Sequence, residues 1–189
     1  MTIIRTIPED EADGEVAVLY AEERESLGYV PSHARVMAMN PAANRAFEAL
    51  IGSVAAPMGV RRYELVTLAA ARGTGSRHCR LAHGLKSLAV FDEEQLERIA
   101  RDYTDAGLTD AEVAMMRFAE RVARDAASMT DADVFELREA GFSDPEIVDI
   151  AIAAAARVYL GRMLQALAVE VDEPERLSGT LRSALVDGI

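Results

Sequence analysis

The chain has little of what usually staples, spans or punctuates a fold. It contains one cysteine, no tryptophan, six prolines and only 5% aromatic residues in a length of 189. A single cysteine excludes an intrachain disulfide and fits a reducing compartment. Basic residues are also scarce: 20 Lys and Arg stand against 32 Asp and Glu, for a formal net charge of −12. Such a surface repels phosphate backbones and anionic lipid headgroups, which argues against nucleic-acid and membrane partners. No long hydrophobic run is present. The longest, Ile147 to Leu160, is broken by Asp149 and Arg157, so it reads as a buried helix rather than a bilayer span. The start, Met1-Thr2-Ile3-Ile4-Arg5, lacks the apolar region of a signal peptide, and the expected location is the cytoplasm.

What is abundant points to helix. Hydrophobic residues make up 50% of the chain. Ala, Leu, Val and Met supply the packing, and all but Val favour helix. Strand-like alternation is nearly absent, while helix start and stop signals are plentiful. A helix is expected from Ala12 to Ser26, followed by a turn at Gly28-Tyr29-Val30-Pro31. A short helix capped by Ser32 should run through Met39. Asn40-Pro41 offers an N-cap with proline at the first helical position. That helix should end near Val54, broken by Pro57 and Gly59.

Arg61 to Arg72 is apolar nearly all round between Leu65 and Ala71, and hence central. A tight turn at Gly73-Thr74-Gly75 joins it to a helix from Ser76 to Val90. Further helices are expected over Asp92 to Asp102, from a capping box at Thr109 and Glu112 to about Ala127, over Thr130 to Ala140, and from Ser143 to about Val169. The acidic tail, 172–189, has a weak helical pattern around Leu177 to Leu185 and should pack on a partner subunit or fray. No linker or repeat divides the chain. The expected fold class is all-α: one domain over 1–189, built around a central antiparallel helix hairpin.

The hairpin concentrates scarce chemistry. The lone cysteine, Cys79, follows His78 and precedes His83 by four residues. At about 100° per residue, Ser76, Cys79 and His83 fall within a sector of roughly 60°. Glu64 lies about as far before the turn as His83 lies after it, so at ~1.5 Å rise per residue the two sit at one level. Gly84 beside His83 lets the helices approach closely. Glu64 can therefore orient or protonate His83, and His83 can serve Cys79 one turn away. Cys79 also occupies the first turn of its helix, where free N–H groups and the macrodipole favour a thiolate. Arg77, Arg80 and a protonated histidine would add to this.

Each residue also has a plainer reading. Cys79 can be a small buried hydrophobe. Ser76 can be an N-cap accepting from the Cys79 N–H. Glu64 can be a first-turn carboxylate on the helix dipole, and His78 a surface residue. His78, Cys79 and His83 lack a fourth ligand nearby and do not form a zinc pattern, so no metal is expected. Gly73-Thr74-Gly75-Ser76 follows a helix and lacks the lysine of a phosphate loop, so no nucleotide cofactor is expected either.

The pattern of Glu64, eleven residues, Ser76-x-x-Cys79, three residues, then His83-Gly84 resembles the alkylhydroperoxidase AhpD-like, carboxymuconolactone decarboxylase superfamily. Its pattern is Glu-x11-Cys-x2-Cys-x3-His. Arg62-Tyr63-Glu64-Leu65-Val66, Leu27-Gly28-Tyr29-Val30-Pro31 and Leu160-Gly161-Arg162 extend the likeness over most of the chain. It is nearest the peroxidase-related subset, which often carries Ser-x-x-Cys. The resemblance implies an all-α homo-oligomer, a dimer, trimer or hexamer. It also implies that Cys79 attacks peroxide, with His83, His78 and Glu64 as proton relay. Ser76 then stands where a resolving cysteine would be. A sulfenic acid on Cys79 needs an outside thiol to reset it: a small molecule, a partner protein, or Cys79 of another subunit.

Three functions compete. The leading one is thiol-dependent reduction of hydroperoxides through Cys79, with an external thiol reductant. The second is acid–base chemistry on a small carbonyl or lactone, with His83 as base and Glu64 as its orienter. The third is a non-catalytic oligomeric homologue.

Overall fold

The structure is a computed structural model that describes residues 3–189. Among these residues it has helices and no strand: α1 (Gly14–Leu27), α2 (Ser32–Met37), α3 (Pro41–Met58), α4 (Val60–Thr74), α5 (Arg77–Ser87), α6 (Glu93–Asp102), α7 (Asp110–Asp125), α8 (Asp131–Glu139), α9 (Asp144–Ala166) and α10 (Gly179–Val186). Local capping explains most of the starts. Asn40 accepts from the Ala43 N–H at 3.1 Å, with Pro41 in the first turn. Thr109 with Glu112, and Ser143 with Glu146, close reciprocal capping boxes.

α4 is the central element, packed against α7, α9, α5 and α3. Leu65, Leu68, Met115, Met116, Ile150 and Ala154 form the heart of the main core. Removing one such leucine side chain from water stabilises the fold by about 1.5–3 kcal/mol. The alanines of α4, α7 and α9 let the helix axes come close. At Gly73 the approach leaves no space at all. A Cβ there would lie 2.6 Å from the Glu120 backbone oxygen and 2.8 Å from the Ala123 Cβ.

Several boundaries differ from expectation, each for a physical reason. α4 runs through Gly73 to Thr74, because Gly73 is a packing glycine against α7; the turn proper is Gly75, in the left-handed region at φ 65°. α3 continues through Pro57 to Met58 and stops only at Gly59, whose φ of 75° leaves the helical region. Ser32 does not cap α2. Pro31 takes that position, and the Ser32 N–H and hydroxyl both donate to the Asp172 carboxylate, at 2.8 and 2.9 Å. α5 ends at Ser87, whose hydroxyl turns back to the His83 carbonyl at 2.7 Å.

The tail folds onto its own chain, against α6 and α5. Leu177, Leu181 and Leu185 are buried there. Two contacts tie α10 to α5. A Cβ at Gly84 would come within 2.3 Å of Leu185 Cδ1, so the absent side chain is where Leu185 sits. Arg80 donates to the carbonyls of Leu185 (2.7 Å), Ala100 (2.8 Å) and Leu68 (3.4 Å). Burial, and then the Arg72 charge, pull Arg80 down to about 10, which still leaves it cationic at neutral pH. Among the described residues no helix is long and apolar enough to cross a membrane.

The Gly73 contact makes a measurable prediction. Gly73→Ala should cost about 1–3 kcal/mol, because the atom it strikes is backbone and cannot swing away. Gly52→Ala in α3, where nothing lies within 4 Å, should instead gain about 0.5–1 kcal/mol from the lost chain entropy of glycine. Denaturant midpoints of the two variants check both signs.

Candidate active site

The α4–α5 hairpin builds the site from its turn outward. With Gly75 in the left-handed region, the Ser76 N–H reaches back to the Ala71 carbonyl at 2.9 Å. The Thr74 and Gly75 carbonyls accept from Gln165 of α9, both at 3.0 Å. Ser76 is the N-cap of α5 and accepts from the Cys79 N–H at 3.4 Å. Its hydroxyl is wholly buried, and α9 passes directly over it. A Cβ on Gly161 would lie 3.2 Å from the Ser76 Cβ.

Across the hairpin, His83 Nδ1 and Glu64 Oε2 are 2.8 Å apart, with both side chains buried. Burial pushes the Glu64 carboxyl up to about 7, against the pull of Lys86 and Arg157. Burial also drives His83 well below its ordinary value, and the charges of Arg157 and Lys86 act in the same direction. Near neutral pH His83 is therefore uncharged while Glu64 lies close to its titration midpoint, so the two do not form an ion pair. With Glu64 ionised, the His83 Nδ1–H donates to it and Nε2 carries a free lone pair. With Glu64 protonated, its O–H donates to Nδ1 and Nε2 carries the proton. A proton accepted at Nε2 can thus leave Nδ1 for Glu64.

Cys79, His83 and His78 line one cavity of about 520 Å³, whose apolar wall includes Leu19, Met37, Phe47 and Leu160. Glu64 and Ser76 do not line it; they stand behind His83 and Cys79 respectively. Cys79 is 3% exposed. His78 is half-buried, and its Nε2–H donates to the Glu170 carbonyl at 2.9 Å, which tethers α5 to the segment after α9.

The cations expected beside Cys79 are elsewhere. Arg77 is exposed, and Arg80 is engaged by three carbonyls. Arg157 from α9 takes the place next to the sulfur. Burial alone would pull Arg157 down, but neighbouring Cys79 and Tyr63 outweigh it and hold the guanidinium above its ordinary value. Its Nη2 donates to the Tyr63 hydroxyl at 3.0 Å. A charged residue inside an Ala-rich apolar helix needs a partner, and that was the available signal in the sequence. His33 was also missed. It lines the same cavity, and burial pushes it down to about 4 against the attraction of Asp172. All three histidines of the chain thus meet its only cysteine.

The Glu64–His83 pair has a pH signature. Unfolded, Glu64 titrates near 4.5 and His83 near 6.5; folded, Glu64 rises to about 7 and His83 drops. Between those two unfolded values the folded pair keeps one proton on Glu64, and the unfolded chain keeps one on His83. Proton counts match, so the pair contributes no slope to stability in that window. Glu64→Gln removes the folded-state proton and leaves only the one that unfolded His83 takes up. The variant should lose stability relative to the parent as pH falls from about 6.5 to 4.5, by up to ~1.4 kcal/mol per unit. Denaturation curves at the two ends of the window test this; a constant gap between the proteins contradicts it.

The architecture has relatives among solved structures. An uncharacterized peroxidase-related protein from Ralstonia eutropha JMP134, with an AhpD core, superposes with a TM-score of 0.75 at 21% identity, over 98% of this chain and 96% of that one. A second, from Silicibacter sp. TM1040, gives 0.76 at 24% identity, over 90% and 92%. The debrominase Bmp8, solved with 2,3,4-tribromopyrrole, gives 0.75 at 17% identity, over 98% and 96%. No family profile and no curated protein matches the sequence. At these identities the likeness is one of architecture, and it agrees with the spacing from Glu64 to His83: the chain has the AhpD-like all-α fold.

Proposed function

We propose that this protein is a one-cysteine, thiol-dependent reductase of organic hydroperoxides. The observation that carries the reading is that the only cysteine and His83, which is hydrogen-bonded to buried Glu64, line one cavity. With Glu64 ionised, His83 takes the Cys79 thiol proton at Nε2. The thiolate attacks the terminal oxygen of R–O–O–H; an S–O bond forms, the O–O bond breaks, and the alkoxide leaves with the electron pair. Protonated Nε2 returns its proton to the alkoxide. The products are an alcohol and Cys79 sulfenic acid, with sulfur oxidised by two electrons and the peroxide reduced by two. Two molecules of an external thiol then give water, a disulfide and free Cys79, through a mixed disulfide.

The cavity supports an organic body on the peroxide. Its volume of about 520 Å³ is many times the roughly 30 Å³ of a water-sized molecule. It also favours a small thiol as reductant, because Cys79 is buried at the wall of this cavity. A halogenated aromatic is the second electrophile to assay, since a debrominase shares the fold.

Intact-mass measurement after one equivalent of cumene hydroperoxide should show one added oxygen on Cys79, then a mixed disulfide on adding glutathione. His83→Gln should slow the oxidation by about 100-fold or more. No added oxygen overturns the reading. Full turnover of a small lactone by Cys79→Ser would favour acid–base chemistry at His83 instead.

A further inference from the structure

Three buried side-chain polar atoms among the described residues have no hydrogen-bond partner: Thr67 Oγ1, Arg157 Nε and Arg182 Nε. Of these residues, only Arg157 lines the cavity. It is 4% exposed, so its Nε–H cannot turn to bulk water, and a buried donor left unsatisfied is costly. The guanidinium is not free to rotate away. Nη2 is held by the Tyr63 hydroxyl, and Tyr63 is itself buried on α4, one residue before Glu64. The guanidinium is therefore held at Nη2 with its buried Nε–H unpartnered, beside the sulfur that the proposed reaction uses.

We propose that Arg157 Nε–H is the docking point for an oxygen acceptor of the ligand beside Cys79, and that in the proposed reaction this acceptor is the carbon-bound oxygen of an organic hydroperoxide. This inference rests on the peroxidase reading for the identity of the substrate, and on the orphaned donor for the site. Charge builds on the carbon-bound oxygen as the O–O bond breaks. A donor already fixed in place stabilises that charge without having to reorganise. The same placement aims the terminal oxygen at the sulfur. The cavity's apolar wall takes the organic group, so the ligand class is one oxygen-bearing head on an apolar body.

The alternative is that Arg157 serves only the thiolate, as a counter-charge. Two electrophiles separate the roles. Iodoacetamide reports thiolate reactivity and has no O–O bond to break, whereas cumene hydroperoxide needs the departing oxygen stabilised. Arg157→Lys keeps a positive charge near Cys79 but loses the planar fork. Its Cys79 should be alkylated within about threefold of the parent rate, while oxidation falls by about 100-fold. Rates that fall in parallel overturn the donor role. A second measurement needs no variant fold and no turnover. The ¹⁵Nε–¹Hε resonance of Arg157 in the parent protein should shift saturably on titration with benzoate, an oxygen acceptor on an apolar ring. Absence of a saturable shift overturns the site. If benzoate moves the resonance but cumene hydroperoxide leaves Cys79 unoxidised, the oxygen site stands and the peroxidase reading falls.

Discussion

The hydrogen bond between His83 and Glu64 is the constraint on which the rest of the site depends. Two polar side chains, one on the central helix α4 and one on α5, have been taken out of water, and neither would be tolerable there alone. Each satisfies the other at 2.8 Å. The bond fixes the level at which α5 lies against α4, and so fixes which face of α5 is inward. Cys79, one turn earlier on that face, inherits its position from this register. Burial raises Glu64 to about 7 and keeps His83 uncharged, so when Glu64 is ionised the His83 Nδ1–H is committed to the carboxylate and Nε2 can accept a proton.

A hairpin alone makes a motif and not a pocket. The pocket draws its wall from α1, α2 and α3 as well as the hairpin, with Leu19, Met37 and Phe47 lining it together with Cys79 and His83. α9 closes the other side and supplies Arg157. The segment after α9 then ties down at two points: Asp172 accepts from Ser32, and the Glu170 carbonyl accepts from His78. Residues from Leu19 to Pro174 thus bound the cavity that holds the one sulfur.

The parts of this arrangement that depend on near neighbours in sequence were legible. Asn40-Pro41, Thr109 with Glu112 and Ser143 with Glu146 mark helix starts through bonds that span three residues or fewer, so sequence alone specifies them. The Glu64–His83 pairing was legible too, because a short turn makes the level of one helix predictable from the other. Long-range features were not. Arg157 reaches Tyr63 across 94 positions; its place in an apolar, Ala-rich helix signals that it needs a partner, but not which one. His33 carries no motif and joins the cavity only through the fold of α2. Gly73 looked like a turn residue because the reason for its missing side chain, the backbone of α7, lies far along the chain. The same blindness made Arg80 look like an aid to the thiol.

Arg80 makes α5 depend on the end of the chain. Its guanidinium is held partly by the Leu185 carbonyl, 105 positions away, and Leu185 fills the space left by Gly84. When α5 has just been synthesised, that carbonyl and that side chain do not yet exist. A buried cation then lacks one of its acceptors. The C-terminal helix α10 therefore helps to hold the helix that carries the thiol, and Leu181 and Leu185 belong to the main core.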